Sequence, residues 1–314
     1  MNSEITKKFL KIIVLILLIS YGLDKLVFYS LNKISDKVMT GQAIGKLNHF
    51  LSIKDSAEVL VFGNSRANRH IDVKLFNNNS YNMGIDGIGI AYNSTLINTL
   101  SKTKKQLVLV HIDTKNLFDA DYDGSDIRGL KAKYNRNLTI TKALDESGQL
   151  SVLQKFYYSI SYNGNAIGIL KNYFKPSYDY IAYDGYDPIT VSNDQKSMRD
   201  AFLSNYRDQV ECKENHKINE IALGYLKSIA IFVKKNPNKR FIFITSPIFN
   251  DDCSVDNKIL ADKMLDLGLN YKDFSNLYKN NSDNSLWKDA THMSQKGAES
   301  FSKLLLEKYA HLLF

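Results

Sequence analysis

Three apolar runs rich in β-branched and aromatic residues constrain the fold most: 58–62, 106–113 and 239–245. Each has the composition of a buried strand, and each is bounded by turn-forming residues such as Gly63-Asn64 and Ser246-Pro247. Helical patterns alternate with them. They cover about Gly87–Leu100, Lys217–Lys235, Ser254–Leu267, where Gly268 can end the helix, and Ser294–Tyr309. Strands alternating with helices imply a parallel sheet covered on both faces, an α/β fold in three layers. The chain has 314 residues, with 44% hydrophobic and 24% charged. That suits one α/β domain with an addition.

The run at 58–62 ends in Gly63-Asn64-Ser65-Arg66, a tight turn leading into a helix. A serine there sits at the carboxyl edge of a sheet, where ligands of open α/β folds gather. The beginning helix offers N–H groups and positive dipole to a developing oxyanion. The plainer role for Ser65 is to cap that helix with its hydroxyl. Near the other end stands Asp289-Ala290-Thr291-His292, in a loop running into a helix that Ser294 is placed to cap. A serine hydroxyl needs a base to take its proton, and histidine is the usual one. Three residues of separation let one turn bring the Asp289 carboxylate to the His292 imidazole and fix its tautomer. The plainer role for His292, among six histidines, is a surface or capping side chain.

These residues resemble the SGNH/GDSL-type hydrolases and acyltransferases, whose fold is flavodoxin-like. Ser65 matches the family's nucleophile, and Asp289 with His292 match its terminal D-x-x-H pair. In Tyr81-Asn82-Met83-Gly84-Ile85-Asp86-Gly87, Gly84 matches a glycine of the oxyanion hole. The resemblance runs from about Ser56 to the end, apart from an insertion at about 118–214. Asn64 replaces the acidic residue common before the serine, as in G-[NS]-S-R variants among membrane-anchored members associated with bacterial surface polysaccharides. Thr114-Lys115-Asn116 stands where the family has Gly-x-Asn-Asp, making Asn116 the candidate for the third oxyanion donor. The resemblance implies a serine esterase or O-acyltransferase acting on acyl esters, such as acetyl esters, of a cell-surface glycan. It requires no cofactor, and an integral membrane acyl-donor protein is a plausible partner. The other reading is an inactive homologue that binds glycan or scaffolds a polysaccharide assembly system.

The amino terminus is different in character. Lys7, Lys8 and Lys11 precede the apolar run Ile12–Leu23; Asp24 and Lys25 interrupt before Leu26-Val27-Phe28-Tyr29. Crossing a bilayer takes about 20 apolar residues, and snorkelling lysines let the helix continue through Tyr29. A cleavable signal peptide is one alternative, but the small-x-small pattern is missing; a buried core helix is the other, against the run's place at the extreme terminus behind a basic cluster. Leading lysines place the amino terminus in the cytoplasm of a bacterial inner membrane and the rest outside. The expected organisation is thus an anchor at 1–30, a polar stalk at 31–55 and an SGNH-like domain at 56–314. The insertion is rich in tyrosine, including Tyr157, Tyr158, Tyr162, Tyr173, Tyr178, Tyr180, Tyr183 and Tyr186, with a helix expected at Ser151–Ser161. These rings either stack on sugars or pack the insertion onto the core.

Cys212 and Cys253 fit one extracytoplasmic disulfide or two unpaired thiols, and neither shares a metal-binding spacing with histidine. The net charge of +8 is dispersed without a basic run. That argues against nucleic acid and for an anionic membrane or polyanionic glycan, if the charge has a partner at all.

Overall fold

The computed structural model describes residues 3–76, 79–176, 183–206, 216–251 and 253–313, apart from the side chain of Ala43. They form two compact units. One comprises His49–Gly129 and Asp179–Phe314; the other comprises Met1–Asn48 and Leu130–Tyr178.

The larger unit is built on a five-stranded parallel sheet: β1 (Val59–Phe62), β2 (Ser80–Asn82), β3 (Gln106–His111), β4 (Lys239–Thr245) and β5 (Tyr271–Asp273), in the order β2-β1-β3-β4-β5. β1 and β3 are buried throughout, as strands with both faces covered must be. Val61 pairs with Asn82 on one side and Leu109 on the other, and Leu109 pairs with Ile242. Alternate side chains go to opposite faces. Val59, Val61, Leu107, Leu109, Ile242 and Ile244 meet Ala298, Phe301 and Leu305 of the carboxyl-terminal helix Gln295–Tyr309. On the other face, Phe241 meets Phe232 of helix Glu220–Lys235, and Phe62 meets Phe50. This is the three-layer α/β architecture that the alternating pattern implies. The order reverses direction between β1 and β3, so a crevice opens at their carboxyl ends.

The strand at 106–113 ends at His111, and the expected helix 87–100 is trimmed to Ile90–Ile97. β5 went unread. An edge strand pairs on one side only, so Tyr271-Lys272-Asp273 needs no apolar run to hold its place.

In the smaller unit a helix spans Ser3–Ser35, and almost none of its apolar length is buried. The segment 31–55 is not a bare stalk. Val38, Ile44 and Leu47 are buried, and the Asn48 amide bonds the carbonyls of Ser35 and Val38 at 2.7 and 2.8 Å. A few apolar side chains at irregular spacing suffice to fold it, and a polar average hides them. The insertion 118–214 is likewise not one body: 130–176 belongs to the smaller unit, 118–129 and 183–206 to the larger. The helix expected at Ser151–Ser161 breaks at Tyr157 into Val152–Phe156 and a 3-10 turn, Tyr158–Tyr162. Tyr158 and Tyr162 pack on Phe28, with ring centroids 5.4 and 6.0 Å away, and Tyr186 is buried in the larger unit. These rings serve packing. Tyr178, Tyr180 and Cys212 lie outside the described residues, and with Cys212 the disulfide question.

Candidate active site

β1 ends at Phe62, and the next residues turn into helix Ser65–His70. Gly63 has φ +149°, and a Cβ there would come within 2.7 Å of both Ala67 and His111. Only glycine fits so tight a turn. The helix cap is Asn64, whose Oδ1 accepts the Arg66 N–H at 3.0 Å, while its Nδ2 donates to Asp113 at 2.5 Å. With capping done by Asn64, the Ser65 hydroxyl is left for other work.

The His292 imidazole meets that hydroxyl, with Nε2 3.0 Å from Ser65 Oγ. Its loop is closed by an isolated antiparallel bridge between Trp287 and Met293. Inside the loop Asp289 Oδ1 accepts the Thr291 N–H at 2.9 Å and the His292 N–H at 2.8 Å, and both carboxylate oxygens face His292 Nδ1, at 3.1 and 3.2 Å. Partial burial alone would raise the Asp289 pKa. The bond from the imidazole and those from the Thr291 and His292 amides outweigh it and hold the carboxyl far below the usual carboxylate range. An ionised Asp289 fixes Nδ1–H and leaves Nε2 free to accept a proton from Ser65.

A second histidine, unread in the sequence, supports this loop. His70 Nε2 accepts the Met293 N–H at 3.0 Å, which requires the proton on Nδ1, 2.9 Å from Ser246 Oγ. Full burial, then the nearby Arg66 charge, push the His70 pKa well below the usual histidine value, so it stays neutral. Arg66 Nε also reaches Ser246 Oγ, at 3.3 Å. The available signal was position: His70 ends the helix that Ser65 begins, and Ser246 follows β4 at the same sheet edge.

The oxyanion side differs from expectation at one residue. The Gly84 N–H donates to Asn82 Oδ1 at 2.8 Å, so it is not available to an oxyanion. Gly84 is needed for space instead: a Cβ would stand 2.4 Å from the backbone nitrogen of Asn68. Asn82 Nδ2 in turn bonds the Ala67 and Ile71 carbonyls, both at 2.8 Å, tying this loop to the serine helix. Two other donors have no acceptor among the described residues: the N–H of Ser65 and the Asn116 side chain. Asn116 lies on the short helix Thr114–Leu117, capped by Asp113, and lines a cavity of about 20 Å³ with Asn64, Asp113, Asn93 and Ile88. Among the described residues, no cluster of histidine, cysteine or carboxylate side chains is arranged to hold a metal.

No family model matches the chain, and no curated protein matches it. Among solved structures, a gut microbial diltiazem-metabolizing enzyme, BT4096, aligns over 82% of this chain at 10% identity and a TM-score of 0.39. The chain spans about half of that structure's length, 47%.

Proposed function

We propose that this protein is a serine-dependent acyl-transferring enzyme, an esterase or O-acyltransferase with Ser65 as nucleophile. The observation that carries the reading is the hydrogen-bonded line Ser65 Oγ, His292 Nε2, His292 Nδ1, Asp289. Ser65 Oγ attacks an ester carbonyl while His292 Nε2 takes its proton. The tetrahedral oxyanion lies at the start of the serine helix, where the Ser65 N–H and the Asn116 side chain are available donors. As the intermediate collapses, His292 returns the proton to the leaving alkoxide, and Ser65 retains the acyl group. Water or a sugar hydroxyl, deprotonated by His292, then takes that group.

Among the described residues one helix, near the amino terminus, is long and apolar enough to cross a membrane. We read it as a single-pass anchor in a bacterial inner membrane, with the catalytic unit outside. The likeness of Gly63-Asn64-Ser65-Arg66 to variants in surface-polysaccharide systems supports a glycan acyl ester, acetyl among them, as substrate. It also supports an integral membrane acyl-donor protein as partner.

The test uses the detergent-solubilised full chain with a fluorophosphonate probe and p-nitrophenyl acetate. Wild type should label and turn over, and Ser65→Ala should do neither. The only side-chain bond Ser65 makes among the described residues is to His292, so its removal leaves the fold intact. An intact wild-type protein that neither labels nor turns over would sink the catalytic reading in favour of a non-catalytic glycan-binding or scaffold role.

A further inference from the structure

Asp24 and Lys25 stand in the middle of the long helix, where a membrane anchor should have no charge. Residues of the insertion close over both. Asp24 accepts the backbone N–H groups of Tyr158 and Ser159, each at 2.9 Å. Lys25 Nζ donates to the Phe156 carbonyl at 2.8 Å and lies 3.4 Å from the Tyr158 ring centroid. The Asp24 side chain is only 4% exposed. Of the charges that interrupt the apolar run in sequence, Asp24 is thus enclosed in the folded unit and Lys25, 28% exposed, is partly covered.

The insertion turns apolar groups outward at the same place. Val152 and Leu153 are 83% and 63% exposed on the short helix Val152–Phe156. Ile167, Leu170 and Phe174 fall three to four residues apart along helix Ala166–Phe174 and are all exposed, while Ile169 faces inward. Lys171 and Lys175 flank this stripe. A groove of about 430 Å³, lined by Val27, Leu31, Ile160 and Ile167 among others, adjoins it.

Length decides what covers these groups. The part of the long helix that the insertion leaves bare, Phe9–Ile19, spans roughly 17 Å at about 1.5 Å per residue. The hydrocarbon core of a bilayer is about 30 Å thick. With the leading lysines at one headgroup layer, the core must extend past Ser20 to about Phe28. That is the stretch where Tyr157 bonds Ser20 and where Phe156 and Tyr158 pack on Tyr21 and Phe28.

We propose that the insertion segment 130–176 is a membrane collar: it seals Asp24 from lipid, ties down the Lys25 ammonium, and sets its own apolar residues, Leu153 and Ile167 foremost, among the lipids of the outer leaflet. This rests on reading the helix as an anchor. Aromatic rings gather at bilayer interfaces, and flanking lysines face anionic headgroups there.

The experiment places a nitroxide label at Leu15→Cys, Leu153→Cys, Ile167→Cys or Lys258→Cys in the full chain. Each is reconstituted in phosphatidylcholine–phosphatidylglycerol vesicles, with unmutated protein as the labelling blank. Collisions with oxygen, which enriches in lipid, are compared with those of a water-soluble nickel chelate. Oxygen should dominate at Leu15, Leu153 and Ile167, and nickel at Lys258. Nickel access at Leu153 and Ile167 with oxygen dominant at Leu15 overturns the collar and leaves the anchor standing. Nickel access at all three overturns both. Protection of Leu153 and Ile167 from both reagents means that protein, such as a second copy, covers the face, and it too overturns the collar.

Discussion

Replacing Asp289 with asparagine tests the triad at its least obvious member. In wild type Asp289 Oδ1 receives the Thr291 N–H, the Thr291 hydroxyl and the His292 N–H and lies 3.1 Å from His292 Nδ1, while Oδ2 faces only His292 Nδ1, at 3.2 Å. In Asp289→Asn the amide oxygen belongs where three donors converge, which puts the NH₂ group where Oδ2 was. That group donates toward Nδ1 and favours the tautomer with the proton on Nε2. His292 then cannot accept the Ser65 proton. Catalysis by a correctly protonated base contributes about 10²–10⁴-fold, and the same swap in a serine protease costs about 10⁴. The expected loss in kcat/KM is therefore about 10²–10⁴-fold, or about 3 to 5 kcal/mol of barrier. Because the turn keeps its donors, unfolding stability in urea should stay within about 1 kcal/mol of wild type. The assay is p-nitrophenyl acetate turnover beside urea denaturation. A variant within threefold of wild-type activity, about 0.7 kcal/mol, would refute the tautomer argument. So would a loss of activity that merely tracks loss of fold.

Three further outcomes follow from named contacts. Asn64→Asp, which installs the acidic residue common in the resembling family, sets a carboxylate against Asp113 in place of the 2.5 Å hydrogen bond. It should cost about 1–3 kcal/mol near pH 7 in urea unfolding, with part recovered near pH 4, where one carboxyl is protonated. Gly84→Ala pushes a methyl group to 2.4 Å from the Asn68 nitrogen and should lower stability by at least about 1–3 kcal/mol by calorimetry. Burial lowers the Lys239 pKa to about 8, below its unfolded value of about 10.4, so the folded state resists the charged form below that pH. This penalty is full at pH 7 and fades between about pH 8 and about pH 10.4, so the stability of wild type relative to Lys239→Met should rise over that window.

The sequence displayed the parts of this molecule that depend on residue type at short range. β1, β3 and β4 are apolar because both of their faces are covered, and Asp289 and His292 sit within a single loop whose spacing is chemical. Their approach to Ser65 was legible only as an inference from chemistry. What stayed hidden depends on direction. Nothing in Asn82-Met83-Gly84 tells which way the Gly84 amide points, and the Asn82 side chain claims it. His70 could not be singled out among six histidines, because its partner is the backbone of Met293, from the far end of the chain. Asp24 looked like a break in an apolar helix for the same reason. The N–H groups that satisfy it come from Tyr158 and Ser159, more than a hundred residues later.

Ser65 and His292 are 227 residues apart in the chain. Contacts of such separation are made late, because the intervening polymer must first be ordered. A growing chain that has already formed the serine turn has no base to arm it. On the proposed mechanism the Ser65 hydroxyl is therefore without its base until the segment that carries His292 and the carboxyl-terminal helix docks on the sheet.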